Sequence, residues 1–247
     1  MKRMPNLKIT KEEYQNLQRN FTNRGAEGLI CFSGKENTIY KIFQSNNQDI
    51  PVSFNKQQKI IELYQKDLDY TVKPISTISC AGEMIGYEMS YNQFDQALES
   101  LPSLPRKDLI KILKKVKIAL LYLQSKDITY GDVTDSNILV NTKNGTITFC
   151  DIDNMRVGSH PIDVKGYALS RYYEQVGLID AKADAYMHNL LTIKTLSGRD
   201  LYESEIIKDL RKGIYPTKYK NTAKPIFASM TVPESFSGEY LIDHIKR

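Results

Sequence analysis

Short apolar runs separated by turn residues characterise the first ninety positions of the chain. Residues 29–33 and 38–43 are rich in β-branched and aromatic side chains, and a polar stretch containing a glycine lies between them. This alternation predicts two or three antiparallel strands between positions 21 and 43. Residues 75–80 and 84–91 form a second pair of runs around a glycine turn, which predicts another hairpin.

Helical spacing of apolar residues appears between these strands and again in the second half of the chain. Residues 56–68 follow this spacing, with Asn55 as the expected N-cap, and predict the one helix of the first ninety residues. Residues 183–196 predict a further helix. An amphipathic helix with a core-facing stripe is predicted beyond residue 105 by Leu109, Leu113, Val116, Leu120 and Leu123. A β-rich segment thus precedes a hinge near 91–105 and an α-rich segment, so the sequence predicts an α+β fold.

Composition narrows the classes of protein to which the chain can belong. It has 247 residues, of which 41% are hydrophobic, which is enough for one large domain or for two lobes. Its 34 Lys and Arg residues against 29 Asp and Glu residues leave a small, dispersed surplus, so we expect no nucleic-acid partner. Three scattered cysteines and no apolar run of about 20 residues favour a cytoplasmic protein without a membrane segment.

Acidic and amide side chains are concentrated around a short predicted hairpin, residues 138–141 and 146–150. The dipeptide Asn144-Gly145 between the two runs is typical of a type I′ turn. Asn137 precedes the hairpin and Asp151 follows it, so the two side chains are expected to lie close together, where their oxygens suit Mg²⁺. Asp132, five residues before Asn137, is placed to orient or deprotonate an attacking hydroxyl.

The segment Asp-x-x-x-x-Asn, the hairpin and the following Asp together resemble the catalytic loop and the metal-binding Asp of the protein-kinase-like superfamily. The resemblance covers roughly residues 21–200. It implies that Asp132 is the base, that Asn137 and Asp151 hold magnesium, and that ATP and Mg²⁺ are the cofactors. It also implies a single two-lobed domain over 1–247, with a small antiparallel N-lobe at about 10–91, a hinge at about 90–95 and a mostly helical C-lobe.

The order of the remaining motifs agrees with this resemblance. Gly25 and Gly28 lie where the family has its glycine-rich loop, and Lys41 resembles the lysine that pairs with the nucleotide phosphates. Glu62, on the predicted helix, resembles the ion-pair partner of that lysine. Met89 is the candidate gatekeeper, and Ser90 and Tyr91 are expected to contact adenine through their backbone. Asp184 resembles the buried structural Asp that braces the catalytic loop.

Several positions depart from the family pattern. The loop reads Tyr130-Gly131-Asp132 where typical protein kinases have His-Arg-Asp, so activation by phosphorylation of the activation loop is not expected. Thr134 replaces a lysine that contacts the transferred phosphate, which removes a positive charge and predicts slow turnover. Asp151-Ile152-Asp153 replaces Asp-Phe-Gly and offers Asp153 as a further metal ligand.

The same residues also have purely structural interpretations. Lys41 could be an exposed lysine on an edge strand, and Glu62 with Lys66 could be an ordinary helix pair. Asp135 and Asn137 could only cap a turn.

Taken together, the motifs predict an ATP- and Mg²⁺-dependent serine/threonine protein kinase with a protein substrate. Three alternatives remain open. A purely structural interaction protein is the weakest of them, because it leaves the order of acid, amide and acid unexplained. A small-molecule kinase, similar to aminoglycoside phosphotransferases, shares the Gly-Asp signature of the loop. A pseudokinase acting as a nucleotide-binding interaction module would explain the lost motif residues, and the oligomeric state is not predicted.

Overall fold

The computed structural model describes residues 3–24, 28–43, 52–101, 104–162, 167–197, 202–214 and 221–245. The chain divides into two compact units, Met1–Asp95 and Gln96–Arg247. Strands dominate the first unit and helices the second, so the predicted α+β class is confirmed. Among the described helices, none has the length and apolar character that crossing a lipid bilayer requires.

The first unit is built on one mixed six-stranded sheet. Its strands are β1 (Asn6–Ile9), β2 (Asn23–Arg24), β3 (Gly28–Phe32), β4 (Thr38–Phe43), β5 (Pro74–Cys80) and β6 (Glu83–Ser90). Their order is β1-β5-β6-β4-β3-β2, in which β1 runs parallel to β5 and the other neighbours are antiparallel. Both predicted hairpins are therefore present, with boundaries displaced by about one residue.

An additional strand and helix precede the predicted part of the sheet. Helix α1 (Lys11–Arg19) begins with a capping box in which Thr10 and Glu13 each accept a hydrogen bond from the backbone N–H of the other. Tyr14 and Leu17 pack against the buried sheet residues Leu29, Cys31, Tyr40, Ile42 and Ile78. The expectation of one helix in the first ninety residues is wrong, because α1 is a further helix. It is strongly polar on average and buries no residue completely, so its sequence did not stand out.

The second helix of this unit, α2 (Phe54–Lys66), starts earlier than the sequence predicted. Ser53, not Asn55, is its N-cap, since the Ser53 Oγ accepts a hydrogen bond from the Lys56 N–H at 3.3 Å. Ile60 and Leu63 are its buried apolar residues. The helix ends at Asp67, which adopts a left-handed backbone conformation.

The second unit consists mainly of helices with short strands between them. The helices are α3 (Arg106–Ser125), α4 (Tyr167–Val176), α5 (Ala181–Ser197), α6 (Glu203–Arg211) and α7 (Lys224–Met230). The strands are β7 (Asp95–Ala97), β8 (Ile128–Thr129), β9 (Ile138–Asn141), β10 (Ile147–Phe149) and β11 (Arg156–Val157). They form one sheet of order β10-β9-β7 and a β11-β8 pair. The predicted stripe of α3 faces the core, because four of its five residues are buried.

Helix α5 lies at the centre of this unit and is buried on every side. Twelve of its 17 residues are buried, including the polar Asp184, His188, Asn189 and Thr192. Each of the four has a hydrogen-bond partner; for example, the Asn189 Nδ2 donates to the Glu239 carbonyl at 2.8 Å. A helix that is buried on every side is rigidly held, so loops that are hydrogen-bonded to it are fixed in position.

The turn of the β9–β10 hairpin differs from the predicted type. A type I′ turn needs positive φ at both central residues, but only Gly145 has it, at +65°, and Asn144 does not. The Asn141 Oδ1 accepts hydrogen bonds from the N–H groups of Lys143 and Asn144, which closes a longer turn instead.

Gly28 illustrates how close two strands approach in the first unit. A Cβ atom at this position would lie 2.5 Å from the Ile42 carbonyl oxygen on the adjacent strand. We therefore expect Gly28→Ala to lower the free energy of unfolding by about 1–3 kcal/mol in urea titration, through overpacking. Gly34→Asn is the control, because open space surrounds Gly34 and asparagine tolerates its positive φ. Equal stability of both variants would contradict this packing role.

Burial of His188 predicts a pH-dependent stability. Its Nε2 lies 2.9 Å from the Leu113 carbonyl, and burial lowers its pKa to about 4, with a further lowering from Lys117. Because the unfolded pKa is about 6.5, protons favour the unfolded chain as the pH falls from about 6.5 to 4, so stability is lost over this range. The full effect is on the order of 3 kcal/mol.

We expect His188→Gln to lose less stability than the wild type between pH 6.5 and pH 4. Comparing the two proteins by urea unfolding isolates this residue from Asp184, whose raised pKa gives the opposite slope. Parallel pH profiles of the two proteins would show that His188 does not control this dependence.

Candidate functional site

The loop of residues 130–137 is anchored by the carboxylate of Asp184 on α5. The Tyr130 N–H donates to one Asp184 oxygen at 3.0 Å, and the Gly131 N–H donates to the other at 2.6 Å. Burial raises the Asp184 pKa to about 7, although these two hydrogen bonds and the charge of Arg156 act to lower it. The predicted bracing contact from the buried helix is therefore confirmed.

Tyr130 connects the loop to both ends of the hairpin. Its ring stacks on Phe149 with centroids 4.4 Å apart, and its hydroxyl lies 2.6 Å from the Cys150 carbonyl and 3.3 Å from the Asn137 carbonyl. The Cys150 N–H in turn donates to the Asn137 carbonyl at 3.1 Å. The phenol remains protonated and a donor, because burial, and then the charges of Cys150, Asp132 and other nearby acids, raise its pKa well above its usual value.

Asp132 and Asn137 are in direct contact. The Asn137 Nδ2 donates to the Asp132 Oδ2 at 2.7 Å, and the loop between them turns through a Thr134 N–H bond to the Asp132 carbonyl at 2.9 Å. Both side chains are half-buried, so each retains access to solvent. Since the amide nitrogen of Asn137 is occupied, its oxygen is the atom that can serve a cation.

Asp151 is held by its own backbone conformation and by Asn154. Its φ of 56° is left-handed, which is unfavourable for a residue with a Cβ and is often found at functional sites. The Asn154 Nδ2 donates to the Asp151 Oδ2 at 2.8 Å across the 3₁₀ helix Ile152–Asn154. Sequence reasoning gave Asn154 no role. Asp153 lies in the same helix and is fully buried, so its role as a ligand stays a prediction.

The other polar side chains of the loop have protein partners. Lys194 on α5 forms an ion pair with Asp135 at 2.9 Å, so the Asp135 carboxylate does more than cap a turn. The hydroxyls of Thr134 and Ser136 lie 3.0 Å apart. Within the described part of the chain, no three His, Cys, Asp or Glu side chains form a metal cluster.

Gly131 has a steric reason to be glycine. Its φ is +80°, and a Cβ atom would overlap the Cδ1 atom of Ile162, in the segment that follows Asp151. The arginine found here in typical protein kinases does not fit this arrangement. The side chain of Ile162 occupies the space where a side chain at position 131 would lie.

Lys41 lies on β4, which is a central strand of the first unit. It is 5% exposed, and its register neighbours are Ile30 on β3 and Tyr87 on β6. The interpretation as an exposed edge lysine is therefore wrong. Glu62 on α2 is about one-third exposed and forms the i,i+4 ion pair with Lys66 at 3.5 Å, as the structural interpretation expected.

The residues expected to contact a nucleotide base also lie in the first unit. Met89 is buried on β6. The Ser90 N–H donates to the Lys73 carbonyl and the Tyr91 N–H to the Asn37 carbonyl, so both backbone donors are already used. Gly28 is the first residue of β3, and Gly25 lies outside the described residues.

Comparison with known proteins gives partial support for a kinase-like relationship. The chain is 41% identical over 59 residues to the probable inactive serine/threonine-protein kinase slob1 of Dictyostelium discoideum. The match covers 24% of this chain and spans only about 10% of the length of that relative. No family model matches the chain.

The contact between Gly131 and Ile162 can be tested by a double-mutant cycle. Gly131→Ala should cost about 1–2 kcal/mol through its left-handed backbone and about 1–3 kcal/mol through overlap with Ile162. Adding Ile162→Ala removes the overlap but not the backbone strain, so the double variant should be more stable than the sum of the single effects predicts. Additive effects in urea unfolding would argue against this contact.

Proposed function

We propose that this chain is a two-lobed protein-kinase-like domain that binds ATP and Mg²⁺ and transfers the γ-phosphoryl group to a serine or threonine hydroxyl of a protein. The observation that carries the proposal is the 2.7 Å hydrogen bond between Asn137 and Asp132, in a loop anchored by the buried Asp184. This arrangement holds the Asp132 carboxylate in one orientation, which supports its proposed role as the catalytic base.

The chemistry of the donor set fits magnesium. Asn137 offers an amide oxygen and Asp151 a carboxylate, and Mg²⁺ is usually held by one or two carboxylates together with substrate phosphates and waters. When bound, the ion would neutralise charge on the phosphates. The chain holds both ligands in place, since Tyr130 connects the carbonyl groups of Asn137 and Cys150 beside them.

Asp132 is proposed to align the acceptor hydroxyl and to take its proton. The hydrogen bond from Asn137 engages one carboxylate oxygen and holds the carboxylate in one orientation, and an ionised carboxylate accepts several hydrogen bonds, including one from a hydroxyl. Fixing the carboxylate before the acceptor arrives reduces the entropy cost of reaching the reactive geometry.

The residues of the first unit are assigned to the nucleotide by resemblance. Lys41 is 5% exposed on β4, and the proposal assigns it to the nucleotide phosphates, with Glu62 supporting it. Gly25 and Gly28 are assigned to the phosphates, and Met89, Ser90 and Tyr91 to the adenine. Because the N–H groups of Ser90 and Tyr91 are occupied, their carbonyl groups are the proposed contacts.

A nucleotide-binding pseudokinase is the second candidate, and two observations favour it. The relative is described as a probable inactive kinase. Thr134 lacks the positive charge of the lysine expected there, and the nearby Lys194 is paired with Asp135. A pseudokinase would retain nucleotide binding without phosphoryl transfer.

Incubation with labelled ATP, Mg²⁺ and separate pools of protein, peptide and small-molecule acceptors tests the proposal. We expect the wild type to label proteins, and Asp132→Asn to lower the rate by at least about 100-fold, the usual effect of losing a general base. Asp69→Asn, at an exposed position in the first unit, is the control and should retain activity.

The other outcomes distinguish the alternatives. Transfer that Asp132→Asn leaves unchanged would contradict the assignment of the base. Labelling confined to small molecules would identify a small-molecule kinase. A thermal shift with Mg²⁺ and ATP but no transfer to any pool would identify a pseudokinase.

A further inference from the structure

The hydrogen bond from Asn154 to Asp151 has a consequence for cation binding. Resting on the proposed role of Asp151 as a metal ligand, we propose that Asn154 is a positioning residue that orients the Asp151 carboxylate and presents its own amide oxygen as an additional donor to a divalent cation. Neither the family resemblance nor the comparison with known proteins gives this residue a role.

The orientation of the Asn154 amide follows from hydrogen-bond chemistry. The Asn154 side chain lies 2.8 Å from the Asp151 Oδ2, and an ionised carboxylate only accepts hydrogen bonds. The amide nitrogen must therefore face Asp151, and the amide oxygen must point elsewhere.

The amide oxygen of Asn154 is buried and makes no hydrogen bond within the described part of the chain. The side chain is 5% exposed, and its Oδ1 lacks a partner although the Nδ2 of the same amide is well paired. A buried acceptor without a partner is unfavourable, and such atoms occur where another ligand engages them. An amide oxygen beside a carboxylate is a hard donor of the kind that Mg²⁺ and Mn²⁺ prefer.

The backbone fixes the two side chains relative to each other. The Asn154 N–H donates to the Asp151 carbonyl at 3.3 Å, and the intervening Ile152 is fully buried. Asp151 and Asn154 thus belong to one hydrogen-bonded turn. Moving this turn would expose the side chain of Ile152 to solvent, so the turn is held in place. A ligand pair held this rigidly does not need to be organised when the cation arrives.

An amide suits this position better than an acid would. Asp153 already lies next to Asn154, and a carboxylate at 154 would face the Asp151 carboxylate at hydrogen-bond distance. Two ionised carboxylates this close repel each other unless a cation lies between them. The amide provides a donor for Asp151 without adding negative charge.

Binding of Mn²⁺ to the full chain, measured by electron paramagnetic resonance, tests the proposal without any activity assay. We expect Asn154→Leu to weaken Mn²⁺ binding by about 10–100-fold, the usual effect of losing a residue that orients a metal ligand. The melting temperature without metal should change little, since leucine has a similar volume and removal of the unsatisfied acceptor offsets the lost hydrogen bond to Asp151.

Asn141, at the turn of the preceding β9–β10 hairpin, provides a matched control. It has the same residue type and the same 5% exposure as Asn154, but it closes the turn at the far end. Asn141→Ala should lower the melting temperature and leave the Mn²⁺ affinity unchanged. The two variants therefore separate loss of stability from loss of cation binding.

Asn154→Asp tests the same contact with the opposite charge. We expect a lower melting temperature than wild type without metal, and a larger Mn²⁺-induced increase, because the cation would relieve the repulsion between the two carboxylates. If Mn²⁺ fails to restore this variant, the cation does not reach residue 154 and the proposal is overturned.

The possible failures are distinguishable. A wild-type chain that does not bind Mn²⁺ would overturn the proposed metal role of Asp151 and Asn137. A wild type that binds while Asn154→Leu binds equally well would overturn the role of Asn154 alone. If Asn154→Leu does not fold, the Mn²⁺ dependence of Asn154→Asp decides the question.

Discussion

The candidate site depends on one buried carboxylate. Asp184 is fully buried on α5, and both of its oxygens accept backbone N–H bonds from Tyr130 and Gly131. Burying a carboxylate is costly unless its oxygens are paired, so the loop and the helix stabilise each other in a single arrangement. These two hydrogen bonds fix the start of the segment Asp132 to Asn137. The position of a loop made of turns and polar residues is thereby fixed relative to a helix of the core.

Helix α5 holds this loop at a second place. Lys194 pairs with Asp135, and it lies ten residues beyond Asp184, about 15 Å along the helix at 1.5 Å per residue. The first contact fixes the beginning of the loop and the second fixes its middle. Tyr130 then connects the loop to the ends of the β9–β10 hairpin through the carbonyl groups of Asn137 and Cys150. Backbone contacts thus hold the segments that carry Asp132, Asn137 and Asp151, and side-chain hydrogen bonds from Asn137 and Asn154 orient the two carboxylates.

Much of the fold could be predicted because its signals are local. The strands around positions 28–43 and 74–90, and helices α3 and α5, have clear periodicity and turn residues. The β1–α1 segment was missed because its pairing with β5 is a tertiary contact and its helix buries no residue fully. Spacing along the sequence singled out Asp132, Asn137 and Asp151, whose roles stay predictions, whereas Asn154 was given no role. The partner of Asn154 is Asp151, three residues earlier, across a 3₁₀ turn that begins with Asp151 in a left-handed backbone conformation. The sequence contains no glycine at this position that would predict such a conformation.

The charged groups around the loop are mainly acidic, and this affects how the candidate site would interact with phosphates. The negative charges of Asp132 and Asp151 both contribute to the raised pKa of Tyr130. Lys194, a cation that contacts the loop, is paired with Asp135. Thr134 adds no charge. Anionic phosphates would meet net repulsion here unless a metal ion arrives first or with them. If the chain binds a nucleotide as proposed, a divalent cation would have to offset this repulsion at the second unit. An active kinase and a nucleotide-binding pseudokinase share this requirement, and they differ only in whether the charge supplied is sufficient for phosphoryl transfer.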